Sequence, residues 1–241
     1  MIRIGVGGWN FPEWRGGAFY PDGLRQADEL AHMASRLNAV EVNGTFYRSQ
    51  SPQTYRAWAD ATPKDFSFAL KAPRYATNRK VLAEAGESVT RFTEGGLAEL
   101  GDKLGPINWQ LAPTKKFERD DFARFLDLLP QTGGGLPLRH AVEVRHESFL
   151  DPAFAPLCTE RGVAIILDGD STYPSIDSPT ADFAYLRIMG TTAGEALGYS
   201  EAALDRWAQY ARGLQGDVWM FVIAGEKRLN PRAAEALSAR I

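Results

Sequence analysis

Short apolar runs begin near Ile2, Ala39, Phe66, Ile107, Ala141, Val163, Phe183 and Val218, and they recur from one end of the chain to the other. Between most of them lie stretches with helical spacing, such as Asp28 to Ala34 and Asp121 to Leu126. Strands that alternate with helices make a parallel sheet, because each strand must be carried back by a crossover before the next begins. No linker, low-complexity tract or charge block divides the 241 residues. The simplest closure is a single (β/α)8 TIM-type barrel spanning residues 1–241, a usual length for that fold. An open doubly wound sheet is the alternative, and it lacks its signature here. Gly5-Val6-Gly7-Gly8-Trp9 places Asn10 where the third glycine of a dinucleotide fingerprint should stand. The residues that follow, Phe11 to Gly17, read as loop rather than helix start. The sixth unit departs from the pattern, since Gly169 to Asp182 also reads as loop. A last helical pattern from Pro231 to Ile241 is placed to close the seam.

Composition narrows the function classes. Hydrophobic residues make up 44% and charged residues 24%, enough for a large core without disulfides or metals. Cys158 is the lone cysteine, so no internal disulfide calls for an oxidising compartment. The amino terminus lacks a signal peptide's layout, and no apolar run is long enough to span a bilayer. The expectation is a cytoplasmic protein with no membrane partner. A net charge of −3 argues against a nonspecific nucleic-acid coat, though not against a local cluster of cations.

Parity along the strands locates the chemistry. Side chains alternate faces, so apolar positions facing the helices force their neighbours into the barrel. Val40 and Val42 thus send Glu41 and Asn43 inward, and Val142 and Val144 do the same for Glu143 and Arg145. Phe66, Phe68 and Leu70 leave Lys71 inside, while Asn108 and Gln110 oppose Ile107, Trp109 and Leu111. Asp168 ends the sixth strand on the inner parity, and Tyr185 and Arg187 oppose Leu186 and Ile188. Most of these groups fall late in their strands, where barrel enzymes build their sites. Burying many charges is costly unless they are paired or in use.

The same set also has a structural reading. Glu41, Glu143 and Asp168 balance Lys71, Arg145 and Arg187, so the network can neutralise itself and merely hold the barrel shut. Metal ligation has thin support: Glu41, Glu143, His146 and Asp168 are the available ligands, suited to Mg²⁺ or Mn²⁺ rather than Zn²⁺, and no metal site is assigned. No organic-cofactor motif is present. Gly-x-Ser-x-Gly is absent, and Cys158 reads as a small buried hydrophobe. Aromatic residues near the strand ends, including Trp9, Tyr20 and Tyr47, either pack loops onto the rim or offer stacking platforms.

Several blocks carry a resemblance. Gly8-Trp9, Trp14-Arg15-Gly16 and Phe19-Tyr20-Pro21 resemble the opening of the YecE-like proteins, domain of unknown function 72. Glu41 to Arg48, Phe66 to Pro73, Leu104-Gly105-Pro106 with Gln110-Leu111, Glu143-Val144-Arg145-His146 with Ser148, and Tyr185-Leu186-Arg187 extend it through most of the chain. The resemblance implies a (β/α)8-type barrel and no particular reaction. The family's shape invites comparison with metal-dependent endonuclease and sugar-isomerase barrels, a likeness of fold only. This chain departs from the family's pattern at four places. Asn78 follows Thr77 where the family commonly has histidine, and Met189 stands where Arg-x-His-Gly would place another. Ile223 and Ala224 fall where the last strand usually ends in Phe-Asn-Asn.

Three functions remain open. In the first, a small anionic, phosphate-containing ligand is held by Lys71, Arg145 and Arg187, with Glu143 or Glu41 as general acid or base at a raised pKa. Asn43, Gln110, Tyr47, Trp9, His146 and Asp168 complete that pocket. In the second, a nucleic acid is bound or processed, with Trp9, Tyr20 and Tyr47 stacking on bases. In the third, the polar interior is a scaffold without catalysis. Oligomeric state has no signature in the sequence.

Overall fold

The structure, a computed structural model, describes all 241 residues. Its strands are β1 (Ile2–Gly7), β2 (Ala39–Val42), β3 (Ser67–Lys71), β4 (Leu104–Gln110), β5 (Thr132–Gly133), β6 (Leu136–Pro137), β7 (His140–Glu143), β8 (Ala164–Ile165), β9 (Leu167–Gly169), β10 (Phe183–Ile188) and β11 (Asp217–Val222). Nine of them form one parallel sheet in the order β8-β7-β4-β3-β2-β1-β11-β10-β9. The two ends of that order, β8 and β9, are halves of one strand interrupted at Ile166, whose amide donates to the Val142 carbonyl at 2.9 Å. The sheet therefore comes back to itself through a single stave of chain, and the expected (β/α)8 barrel is what the sequence builds. Residues 170–182 after β9 contain neither helix nor strand, as the loop-like sixth unit led us to expect. A cavity of about 440 Å³ lies beside that loop, lined by Leu167, Ile176, Ala184, Leu186 and Tyr210 among others. The strand starts differ from expectation by one to three residues at β3 and β4. The β5–β6 hairpin was not foreseen; Gly134 and Gly135, at φ +55° and +84°, make its two-residue turn.

Two apolar clusters divide the interior. The larger lies between sheet and helices and takes Val40, Val42, Phe68, Leu70, Ile107, Trp109, Val142, Val144, Leu186 and Ile188. The helices feed it from their apolar faces; Ser200, for example, caps the helix Glu201–Gly213 by accepting from the Ala203 amide, and its buried Leu204, Ala208 and Ala211 follow at helical spacing. The smaller cluster fills the barrel itself. There Ala39, Ala69, Ala141 and Ala164 line one side, and Phe183, Tyr185, Trp219 and Phe221 fill the space from β10 and β11. Small residues on one wall are what let four aromatic rings enter from the other.

This filling closes the amino end of the barrel. Trp219 donates to Ser67 Oγ at 3.0 Å, and the Arg3 guanidinium lies 4.7 Å from its ring centre. The charged layer of carboxylates, lysine and arginines is thereby left toward the carboxyl ends of the strands. Gly5 shows how tight the inner layer is: a Cβ there would stand 2.0 Å from the Ala39 carbonyl oxygen. Gly5→Ala is accordingly expected to cost on the order of 3 kcal/mol, seen as a lowered midpoint in calorimetric unfolding. An unchanged midpoint would show that β1 and β2 can part without penalty.

Candidate functional site

Every strand-borne polar residue expected inside the barrel is found there. Glu41, Asn108 and Glu143 are fully buried; Lys71, Gln110, Asp168 and Arg187 are nearly so. Arg187 is the centre. It donates to Glu41 through Nε at 2.9 Å and Nη2 at 3.0 Å, a bidentate fork. Its Nη1 stands 2.7 Å from Glu143 Oε2, an ion contact rather than an aligned hydrogen bond. Tyr185 adds its hydroxyl to Glu41 at 2.7 Å, and the Asn108 amide donates to Glu143 at 3.1 Å. Arg145 donates to Glu143 through Nε at 2.6 Å and to Gln110 Oε1 at 2.8 Å. Registration explains the convergence: Asn108 pairs with both Lys71 and Ala141, Gln110 with Glu143, and Arg187 with Asp168.

The electrostatics differ from the sequence expectation. Burial pushes the Glu41 carboxyl up, but attraction to Arg187 and Lys71, with hydrogen bonds from Arg187 and Tyr185, outweighs it and holds the pKa at about 2. Glu143 is likewise lowered, because Arg187, Lys71 and Arg145 overcome its desolvation. Neither glutamate is thus the acid with a raised pKa. That position falls to Asp168, pushed up to about 8 by burial and by repulsion from Glu143. Its closest cation, Arg187 Nη1, is 3.9 Å away, and neither carboxyl oxygen has a hydrogen-bond partner. Lys71 is brought down to about 8 by burial and by Arg187. Its ammonium donates to Asn43 Oδ1 at 3.3 Å and faces the Phe46 ring at 5.2 Å.

The loop residues divide. Tyr47 is 67% exposed at the rim. Trp9 makes a T-shaped contact with Trp58 at 5.3 Å, and Tyr20 is buried, its hydroxyl donating to the Trp9 carbonyl. His146 caps the short helix Glu147–Leu150, its Nδ1 accepting from the Ser148 amide at 3.1 Å, and it takes no part in the charged network. No group of three or more His, Cys, Asp or Glu side chains is disposed to hold a metal ion. Cys158 is buried and its thiol is pushed up to about 12 by desolvation. One further residue was missed. Tyr173, in the loop after β9, lies 4.4 Å beneath the Arg145 guanidinium, a placement no periodicity could signal. At the four departures from the family pattern, Met189 and Ile223 join the inner apolar cluster, while Asn78 and Ala224 are exposed. Ala224 sits at φ +57°, a backbone state that glycine or asparagine adopts more readily. Gly7 makes room for this wall, since a Cβ there would lie 2.8 Å from Ile223 and 2.9 Å from the Asn43 amide.

Similarity to known proteins agrees with this architecture. The family model described as protein of unknown function DUF72 matches residues 3–241. The UPF0759 protein YunF of Bacillus subtilis is 24% identical over 159 residues, 64% of this chain and 54% of YunF; the match spans about half of that relative's length. A DUF72 family protein from Thermotoga maritima superposes with a TM-score of 0.78 at 22% identity, covering 99% of this chain and 98% of the other. One from Enterococcus faecalis gives 0.79 at 16% identity, covering 100% and 95%. The barrel, its polar carboxyl end and a family match along nearly the whole sequence come to one conclusion: the chain belongs to the DUF72 family.

Proposed function

We propose that the carboxyl end of the barrel binds a small anion bearing a phosphate group. The observation that carries this reading is a charge imbalance among the six buried groups. Below about pH 8 Asp168 keeps its proton and Lys71 keeps its charge. Three cations, Lys71, Arg145 and Arg187, then face only two carboxylates, Glu41 and Glu143. Arg187 bridges both carboxylates and Arg145 also holds Glu143, so the surplus charge is shared between Arg145 and Lys71; Arg145 is partly exposed, with Tyr173 against its face. Arg145 keeps its Nη1 edge, whose contact with the Tyr173 hydroxyl is a long 3.4 Å, and Lys71 offers a point charge, both suited to phosphate. Gln110 and Asn43 supply amides beside them. Asp168 takes the acid–base role, since a group near 8 is matched to proton transfer at neutral pH, whereas the two glutamates stay ionised. Its unpartnered oxygens favour this role further, because an unsatisfied buried polar group costs about 1–3 kcal/mol.

Thermal unfolding in the presence of inorganic phosphate, sulfate, sugar phosphates and nucleoside monophosphates, each with and without Mg²⁺ or Mn²⁺, tests the reading. At least one phosphate compound is expected to raise the midpoint saturably, by several degrees near a hundredfold excess over Kd. Lys71→Met and Arg145→Met should each abolish that rise. If no anion shifts the protein, the layer is a self-neutralised scaffold and the proposal fails.

Asp168 gives a separate prediction from proton linkage. Its folded pKa, about 8, lies above the usual carboxylate value of 3.8. The unfolded chain therefore releases this proton first, and the contribution is present in full below about pH 4 and lost as pH rises toward 8. Asp168→Asn should remove that loss, gaining on the order of 4 kcal/mol relative to wild type between about pH 5 and pH 8. Urea denaturation at the two pH values measures it; parallel wild-type and variant profiles would mean that Asp168 is ionised throughout.

A further inference from the structure

Beside the central pocket, the loops after β3 and β4 enclose a groove of about 590 Å³ whose lining includes Thr77, Asn78, Lys80, Thr114, Lys116 and Glu118. Two nearby cations are spent on holding these loops together. Arg79 donates to the Tyr75 carbonyl at 2.8 Å and to Ser88 Oγ at 2.7 Å. Lys115 bridges the Lys80 carbonyl at 2.8 Å and the Asp121 carboxylate at 2.7 Å. Lys80 and Lys116, by contrast, are exposed, and neither stands in an ion pair. Thr77 is fully buried, yet its hydroxyl has no hydrogen-bond partner. On the adjoining loop after β2, the exposed Tyr47 ring lies edge-on to Phe46 at 5.2 Å and faces the Arg74 guanidinium at 5.8 Å.

Charge along the chain isolates this sector. The segments 43–51, 72–84 and 111–118 carry Arg48, Arg74, Arg79, Lys80, Lys115 and Lys116 against Glu84 and Glu118, in a chain whose net charge is −3. A positive sector on an acidic protein attracts a polyanion. Strands stand about 4.8 Å apart, so the arc from β2 to β4 spans about 10 Å, more than one phosphate occupies. We infer that this groove binds single-stranded nucleic acid, with backbone phosphates against Lys80, Lys116 and Thr77 and a base stacked on Tyr47. A single strand fits better than a duplex because an exposed aromatic face beside a cation can be used only by an unpaired base. The inference rests on the central pocket as a phosphate site and extends it from a lone anion to a chain of phosphodiesters.

Fluorescence anisotropy with a labelled oligothymidylate of about twelve nucleotides, alongside thermal shift with thymidine monophosphate, tests it. The oligonucleotide should bind at least about tenfold more tightly than the mononucleotide, with affinity falling as salt rises. Lys80→Ala with Lys116→Ala should weaken oligonucleotide binding about tenfold or more and reduce the salt slope by about one to two, leaving the mononucleotide unaffected. Tyr47→Ala should weaken it further, by about 1–3 kcal/mol, or roughly five- to a hundredfold. Mononucleotide binding without tighter oligonucleotide binding, or oligonucleotide binding indifferent to these changes, overturns the groove and leaves the pocket. Binding of neither probe overturns both.

Discussion

The clamp of Arg187 on Glu41 and Glu143 is the interaction on which the upper half of this barrel depends. Two carboxylates and a guanidinium lie almost entirely out of water, and each ion so placed forfeits several kcal/mol of hydration. Such a cluster persists only when its geometry is good and its remaining hydrogen bonds are met. The fork to Glu41, the Tyr185 hydroxyl, the Asn108 amide and the Arg145 guanidinium meet most of them. Because Arg187 is committed to the glutamates, it reaches Asp168 only at 3.9 Å. The aspartate, without a partner for either oxygen and repelled by Glu143, has its pKa raised.

Packing below the clamp determines where it can be. Alanines on four staves admit aromatic rings from β10 and β11, and those rings fill the barrel up to the level of the charged groups. Apolar Met189 and Ile223 continue that wall to the rim, at positions where the resemblance implied polar groups. The charged and amide groups come from β2, β3, β4, β7, β9 and β10, and the apolar stretch of the rim is confined to the ends of β10 and β11.

Much of this was legible in the residues themselves. A period of two, read against apolar neighbours, placed Glu41, Asn43, Lys71, Gln110, Glu143, Arg145, Asp168 and Arg187 on one face, because a strand has only two faces and the helices claim one. The assignment of the raised pKa did not follow. Glu41 and Glu143 were expected to be raised by neighbouring acids, yet both are lowered and Asp168 is raised. Proximity in space to Arg187 decides this, and parity carries no information about which acid the guanidinium grips. Loop residues were less legible still. His146 turned out to cap a helix, Tyr20 and Trp9 to pack the rim, and Tyr173 to lie against Arg145, since no repeat governs a loop's path.

The sequence by itself determined the alternation of strands and helices, the inward parity of the charged set and the concentration of cations in three neighbouring segments. These are local properties, set by backbone geometry and by the spacing of apolar residues. Only the tertiary structure decided which carboxylates Arg187 holds, which one has its pKa raised, and that Lys80, Lys116 and Thr77 line one groove. Those outcomes depend on strand register and on distances of a few ångströms between residues far apart in the chain. Coulomb energy in a dry interior changes steeply over such distances, and chain order does not encode them.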